Sequence, residues 1–483
     1  MRIIGNDPEI SRQTQGTASG AITGGKPVIV NIDGTVTQAG IINAPSAGTP
    51  VVFEAAQVGS LSAIFNLSAA FDSNSNKVVI VYKDYGNSSY GTAIVGTVSG
   101  TAISFGTPVV FESAATNSIS IVFDDNANKM VIAFSDGGNS NYGKAIVGTV
   151  SGTGISFGSV ATFESATASF ISTTFDSNSN KVVIAYQDNG NGNYGTATVA
   201  TVSGTNISFG TRAVFESANT VSIGITFDSS NNKVIMAYRD LGNSNRGTAI
   251  VGTVSGTNIS FGSAAVFNTA QTDYPFPVFD SNSNKAVIVY RDNQTNARAI
   301  VATVSGTSIS FGSASLLGAA FMFTAAFDSS TNKVVVVYEK YTDSGGGQVK
   351  VGTVSGTSIS FGSEIVLEGT EATYPGSTFD SNSNKTVLAC GNKANSTHGT
   401  AIVISSTSPN VTSENFIGFA EDTVATGQPA IINTKGAVDE NQSSLTAGQE
   451  YFVQTDGTLG TTAATPSVVA GTAVSATKLI VKG

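Results

Sequence analysis

The chain has 483 residues, a formal net charge of −10 and only 12% charged residues, so its polarity comes from Gly, Ser, Thr and Asn. A mildly acidic, largely uncharged surface gives no electrostatic pull toward a phosphate backbone or an anionic bilayer, so neither nucleic acid nor membrane insertion is expected. One cysteine, Cys390, allows no internal disulfide, and one histidine, His398, excludes Ser-His-Asp, Cys-His and multi-histidine metal chemistry.

The first residues, MRIIGNDPEISR, lack the apolar stretch of a secretory signal, and no run approaches the roughly 18 apolar residues of a membrane span. Synthesis in a cytoplasm without a signal peptide is the expectation. GKPVIVNIDGTV, from Gly25, reads as a β-hairpin with Gly34 in its turn. It shares the pattern GxPxIxNxxGxV with GQPAIINTKGAV, from Gly427, where Gly436 takes the turn. Two copies of one hairpin flanking an insertion are predicted.

Between them a 52-residue unit recurs, with Phe-Asp starts at Phe71, Phe123, Phe175, Phe227, Phe279, Phe327 and Phe379. Each unit holds four β-branched and aromatic segments separated by turn residues, as in TTFDSNSN, KVVIAYQD, TATVATVSG and ISFGTRAVFE from Thr173 to Glu216. Four strands in a period near ~50 residues match a propeller blade, whereas a β-helix coil is shorter and an immunoglobulin-like sandwich longer. Cys390, in the strand KTVLAC, reads as a small buried apolar residue.

The first three segment types occur seven times, but the complete SGTxISFG type only six, the last at Ser355. GTPVVFEAA, from Gly48, copies GTPVVFESA, from Gly106, and so supplies the missing outer strand of the last blade. The fold class is therefore all-β: a seven-bladed β-propeller with four-stranded blades and a Velcro closure that removes two exposed edges. Residues 1–47 form an N-terminal hairpin and attachment segment, 48–405 the propeller, and 406–483 a C-terminal β-rich module.

Asp72, Asn74 and Asn76 superficially resemble a calcium loop, but Lys77 stands at its glycine position and Lys83 at its terminal glutamate, so a hairpin turn explains them and no metal or cofactor is expected. Acidic residues recur with the repeat: Asp84, Asp136, Asp188, Asp240 and Asp292 after the second strand, and Glu54, Glu112, Glu164 and Glu216 at the end of the outer one. A catalytic carboxylate pair belongs at one place in a ring, so recurrence argues for structure and no catalytic residue is assigned. The seven arginines show no clustering along the chain of the kind a carboxylate clamp needs.

The FDSNSNK and SGT turns share one face of such a disc and are uniform. The opposite face carries the turn after the second strand and the segment leading into each blade, and it varies. There the sequence places Tyr90, Tyr142, Tyr194 and Arg246 at equivalent positions, Tyr274 and Phe276 in TDYPFP, Phe321 and Phe323 in AFMF, and Tyr374 in EATYP. Tyrosine and arginine give rigid contact area with polar tips, and aromatic faces stack on sugar rings, so these nine are the candidate ligand-binding residues. Phe321 and Phe323 have the alternative role of filling space between blades.

From Leu445, the tail LTAGQEYFVQTDGTLGTTAATPSVVAGTAVSATKLIVKG resembles the closing module of virion surface and tail-fibre proteins of marine bacteriophages, with Leu445 and Gly448 before Tyr451, Gly457 before Leu459, and Gly471, Ala473 and Ser475 before a terminal apolar strand. GQPAIINTKGAVDENQ fits the same likeness. The resemblance implies a non-enzymatic structural protein at the virion surface. Its flanking modules would contact other virion proteins, and its varied propeller face a host-surface glycan or protein. The alternatives are a capsid or tail decoration protein whose propeller is a spacer and, less favoured, a carbohydrate-active enzyme. Homo-oligomerisation stays open, since no heptad pattern sets a number.

Overall fold

The computed structural model describes residues 12–31, 34–42, 45–58, 66–340, 346–406, 408–409, 411–454, 457–464 and 467–482. The chain divides into two compact units, Ala44–Ser406 and a second built jointly from the segments before and after it. The two flanks predicted as separate modules thus share one unit.

Within Ala44–Ser406 the first six repeats are four-stranded antiparallel meanders, and the last has three strands of its own. In the repeat that starts at Phe123, strand Lys129–Asp136 pairs with Tyr142–Ser151, whose other edge takes Gly154–Phe157 and then the start of Ala161–Asp176. The second strand is buried along nearly its whole length, which is why KMVIAF and its equivalents are continuous apolar runs rather than alternating ones. The long strand Ala161–Asp176 begins as the outer edge of one sheet and ends as the inner strand of the next, pairing with Lys181–Asp188. Its register breaks between Ser169 and Ser172, where Phe170 has φ 52°. Ser118, Ser222 and Tyr274 adopt the same left-handed backbone at the equivalent bulges.

The outer strand is interrupted by a glycine that nothing else can replace. The Gly106 amide donates to the Val95 carbonyl (2.9 Å), and a Cβ on Gly106 would fall 1.9 Å from the Thr153 carbonyl in the turn of the next repeat. Gly158, Gly210, Gly262 and Gly312 meet Thr205, Thr257, Thr307 and Thr357 in the same way. Gly48 does so against Thr101, and its amide donates to Val403 (2.8 Å). Strand Val51–Gln57 pairs with His398–Ser405, with Ala401 opposite Val51 and Gly399 opposite Glu54. Phe53 and Val58 share a core with Tyr82, Val387, Ala389 and Val403, so residues from both ends of the repeat array pack together.

The second unit contains a five-stranded sheet in the order Gln13–Thr17, Pro429–Asn433, Phe416–Ala420, Pro27–Val30, Val36–Gln38. Its hydrogen bonds come in reciprocal pairs. Gly25 donates to Ala420 (2.7 Å) and Gly427 to Ala18 (2.7 Å), while Ile22 and Val424 exchange bonds of 2.9 and 2.8 Å. Ala18 and Ala420, Ile22 and Val424, and Gly25 and Gly427 are each 402 positions apart, so the duplication extends upstream of GxPxIxNxxGxV and the two copies complete each other. Only the first copy closes the predicted hairpin, Val28 opposite Gln38. Both edges of Pro429–Asn433 are already taken by its neighbours, so Val438–Asp439 joins Leu479–Val481 in a separate sheet instead.

Candidate functional site

The recurring carboxylates have recurring partners. Asp72 accepts the amides of Asn74 and Ser75 (both 2.9 Å), and Asp176, Asp280 and Asp380 repeat the arrangement, each tying its own hairpin turn. Asp84, Asp136, Asp188 and Asp240 accept amides of the turn after the second strand at 2.9–3.1 Å. The Tyr82, Tyr186 and Tyr238 hydroxyls donate to Glu54, Glu164 and Glu216 at 3.0 Å, linking each second strand to the outer strand of the preceding repeat. Where Gly318 replaces the glutamate, Tyr338 donates instead to Glu364 of its own repeat. Burial raises Asp84 and Asp188 above the usual carboxylate range, and Glu54 and Glu164 beside them add to it.

The end of the sheets opposite the FDSNSNK turns gathers the varied residues. Tyr90, Tyr142, Tyr194 and Arg246 open the third strands, half-buried, opposite Ala115, Thr167, Asn219 and Gln271 in the following lead-in segments. Tyr274, Phe276 and Phe323 instead line a cavity of about 180 Å³, to which every inner strand contributes, from Leu67–Ala69 to Pro375–Ser377. Of the hydroxyls in its wall, Ser120 bonds Thr173 (2.8 Å) and Ser377 bonds Thr324 behind it (2.9 Å), while Ile, Phe, Pro and Met side chains supply much of the rest. Phe323 is 6% exposed and packs with Val289, Val336 and Tyr338, so it belongs to the core between sheets; Phe321 is half-buried and Tyr274 stays partly accessible. The Tyr374 side chain lies outside the described residues.

A charged cluster joins the two groups. Asp273, 4% exposed, accepts Arg239 Nη1 at 2.5 Å and Arg291 Nη2 at 2.9 Å. Arg239 also donates twice to Asn245 Oδ1 (3.1 and 3.0 Å), and Arg291 Nη1 donates to the Phe321 carbonyl (3.2 Å). The Arg291 guanidinium lies 4.9 Å from the Tyr274 ring centre and 5.1 Å from that of Phe321, held between two aromatic faces. Two arginines that stand far apart along the chain, Arg239 and Arg291, therefore meet in space. Arg239 and Arg291 are 52 positions apart, one repeat, so the fold sets them side by side.

These residues share a position that sequence reasoning passed over, the one before each recurring aspartate. It holds Lys83, Ser135, Gln187, Arg239 and Arg291. Lys83 reaches Asn117 (2.8 Å) and Gln187 reaches Asn219 (2.9 Å) in the next lead-in segment, as Arg239 reaches Asp273. Variation at a fixed repeat position beside an aspartate that recurs in five of the repeats was the available signal. Arg212 was missed as well: it pairs with the buried Glu164 and, with Asp188 and Thr196, lines a polar cleft of about 410 Å³ on the outer side of the sheets.

No protein-family model matches the chain, and no curated protein matches its sequence. Among solved structures it is similar to the BP39L lectin of Burkholderia pseudomallei, with a TM-score of 0.55 and 11% identity over 72% of this chain and 97% of that one. It is also similar to a protein of unknown function from Dyadobacter fermentans (TM-score 0.46, 10% identity, 75% and 100% covered) and to the Aleuria aurantia lectin in complex with Fucα1-6GlcNAc (0.41, 11%, 62% and 95%). The first likeness gives the class of fold, an all-β propeller.

Proposed function

We propose that the chain is a non-enzymatic, receptor-facing protein of a bacteriophage virion. Its seven-bladed propeller is closed by strand Val51–Gln57 and binds a host-surface glycan or protein through the varied face, while the flanking unit attaches it to other virion proteins. The observation that carries this reading is the segregation of variation: aromatic and arginine residues concentrate at one end of the sheets, while the other end repeats the same Asp-capped turns. The ring is supported by the single cavity lined from every inner strand and by Gly48 repeating, against Thr101, the contact that joins successive repeats elsewhere. The non-enzymatic reading is supported by recurring carboxylates being taken up by structure: Asp84, Asp136, Asp188 and Asp240 hold turn amides, and Glu54, Glu164 and Glu216 hold tyrosines. The likeness to a lectin favours a glycan, and the tail from Leu445 favours the particle.

The test is adsorption. Purified protein is expected to adsorb to host cells and to lose adsorption when Tyr274 and Phe276 become Ala. Particles lacking the protein that adsorb as well as complete ones would sink the reading.

A further inference from the structure

We infer that the varied face around Tyr274 takes an acidic sugar, a uronate-type ring whose carboxylate is held by Arg239 while its apolar face lies on Tyr274; this rests on the receptor-binding reading above. In a chain of net charge −10, two arginines share the one carboxylate of Asp273, leaving a positive charge in excess where all three groups are largely buried. An unbalanced buried charge is costly, and an anionic ligand would balance it.

The two arginines have different duties. Arg291, 9% exposed, is consumed by Asp273, by the Phe321 carbonyl and by two aromatic faces. Arg239 is 22% exposed, and its three bonds, one to Asp273 and two to Asn245, leave donors of its five N–H groups without an acceptor among the described residues. A planar carboxylate accepting from a guanidinium fork is the natural complement of such a fixed, partly exposed arginine.

Beside it, Tyr274 has φ 53°, a left-handed backbone that is unfavourable for a non-glycine residue. Ser118, Phe170 and Ser222 share the conformation, so the fold supplies the bulge, and this repeat places on it a tyrosine backed by arginine. The ring is held in place before any ligand arrives, which lowers the ordering cost of stacking a sugar on it. A fixed cation and a fixed aromatic face side by side are what a carboxylated pyranose offers two surfaces to.

The test titrates the full-length protein calorimetrically with alginate and galacturonate oligosaccharides, with their carboxyl-reduced counterparts and with a sulfated neutral oligosaccharide. Binding of one uronate series is expected, with its reduced form weaker by about tenfold or more. Arg239→Gln should weaken uronate binding by a similar factor and Arg239→Lys by less, in variants whose circular dichroism shows the all-β fold retained. Equal binding of acidic and reduced sugars, equal binding of the sulfated one, undiminished binding by a folded Arg239→Gln, or no uronate binding at all would each overturn the assignment. Adsorption to host cells, measured in parallel, separates the failures. Adsorption without uronate binding leaves the receptor reading standing, and absence of both removes it too.

Discussion

The two ends of the repeat sheets are made from the same strands, yet one has converged and the other has diversified. At the FDSNSNK end, a single carboxylate satisfies two turn amides and the same geometry recurs from Asp72 to Asp380. At the other end, one fixed position holds Lys83, Gln187, Arg239 or Arg291: Lys83 reaches Asn117, Gln187 reaches Asn219, and the two arginines converge on Asp273. The difference teaches that the frame is set by second strands, glycine contacts and Asp-capped turns, so the lead-in segments are free to change as long as the bulge is kept. Stability and binding should then be separable by mutation.

The largest effect is expected in the frame. Phe163 is 6% exposed and packs against Tyr186 and Phe209 at ring distances of 5.1 and 5.7 Å, so Phe163→Ala should cost about 3–5 kcal/mol in denaturant unfolding. Gly158→Ala, whose new methyl would strike the Thr205 carbonyl, should cost about 1–3 kcal/mol and lower the thermal midpoint. Asp176→Ala, which frees the Asn178 and Ser179 amides, should cost about 1–2 kcal/mol and leave adsorption unchanged. A loss of adsorption in a folded Asp176→Ala protein would break the comparison.

At the varied end the order reverses. Tyr274→Ala should weaken receptor binding by about 2 kcal/mol, as a central aromatic anchor does, with little change in midpoint. Tyr274→Gly sharpens the point: it relieves the left-handed strain, so it should unfold at a higher temperature than Tyr274→Ala while binding no better. The smallest effect is that of pH. Asp84, Glu112, Asp188 and Glu216 are raised above their ordinary values, chiefly by burial. Raised carboxylates contribute stability that is full below the ordinary range near ~4 and is lost as pH rises through their folded values. The midpoint should therefore rise as pH falls from neutrality toward ~4, and by less in Glu112→Gln.

Much of this was legible in the sequence. The strand order of each repeat and the copy of the outer strand at Gly48 follow from period and turn chemistry, which are local. What escaped was decided across repeats or by competition for edges. The arginines looked scattered because they were read along the chain, whereas a separation of one repeat places Arg239 and Arg291 on one carboxylate. GQPAIINTKGAV carries the same hairpin signal as GKPVIVNIDGTV but does not close one, because its strand has no vacant edge. The left-handed backbone of Tyr274 runs against the preference of its own side chain and is imposed by the bulge.

The pairing of Val51–Gln57 with His398–Ser405 has a genetic corollary. The strand that pairs with the last repeat is encoded ahead of the first, so recombination between any two internal periods leaves both partners of that pairing in the chain. A gene built this way can exchange, lose or gain whole lead-in segments in one event, and the end that diversifies is the end such events would reshuffle.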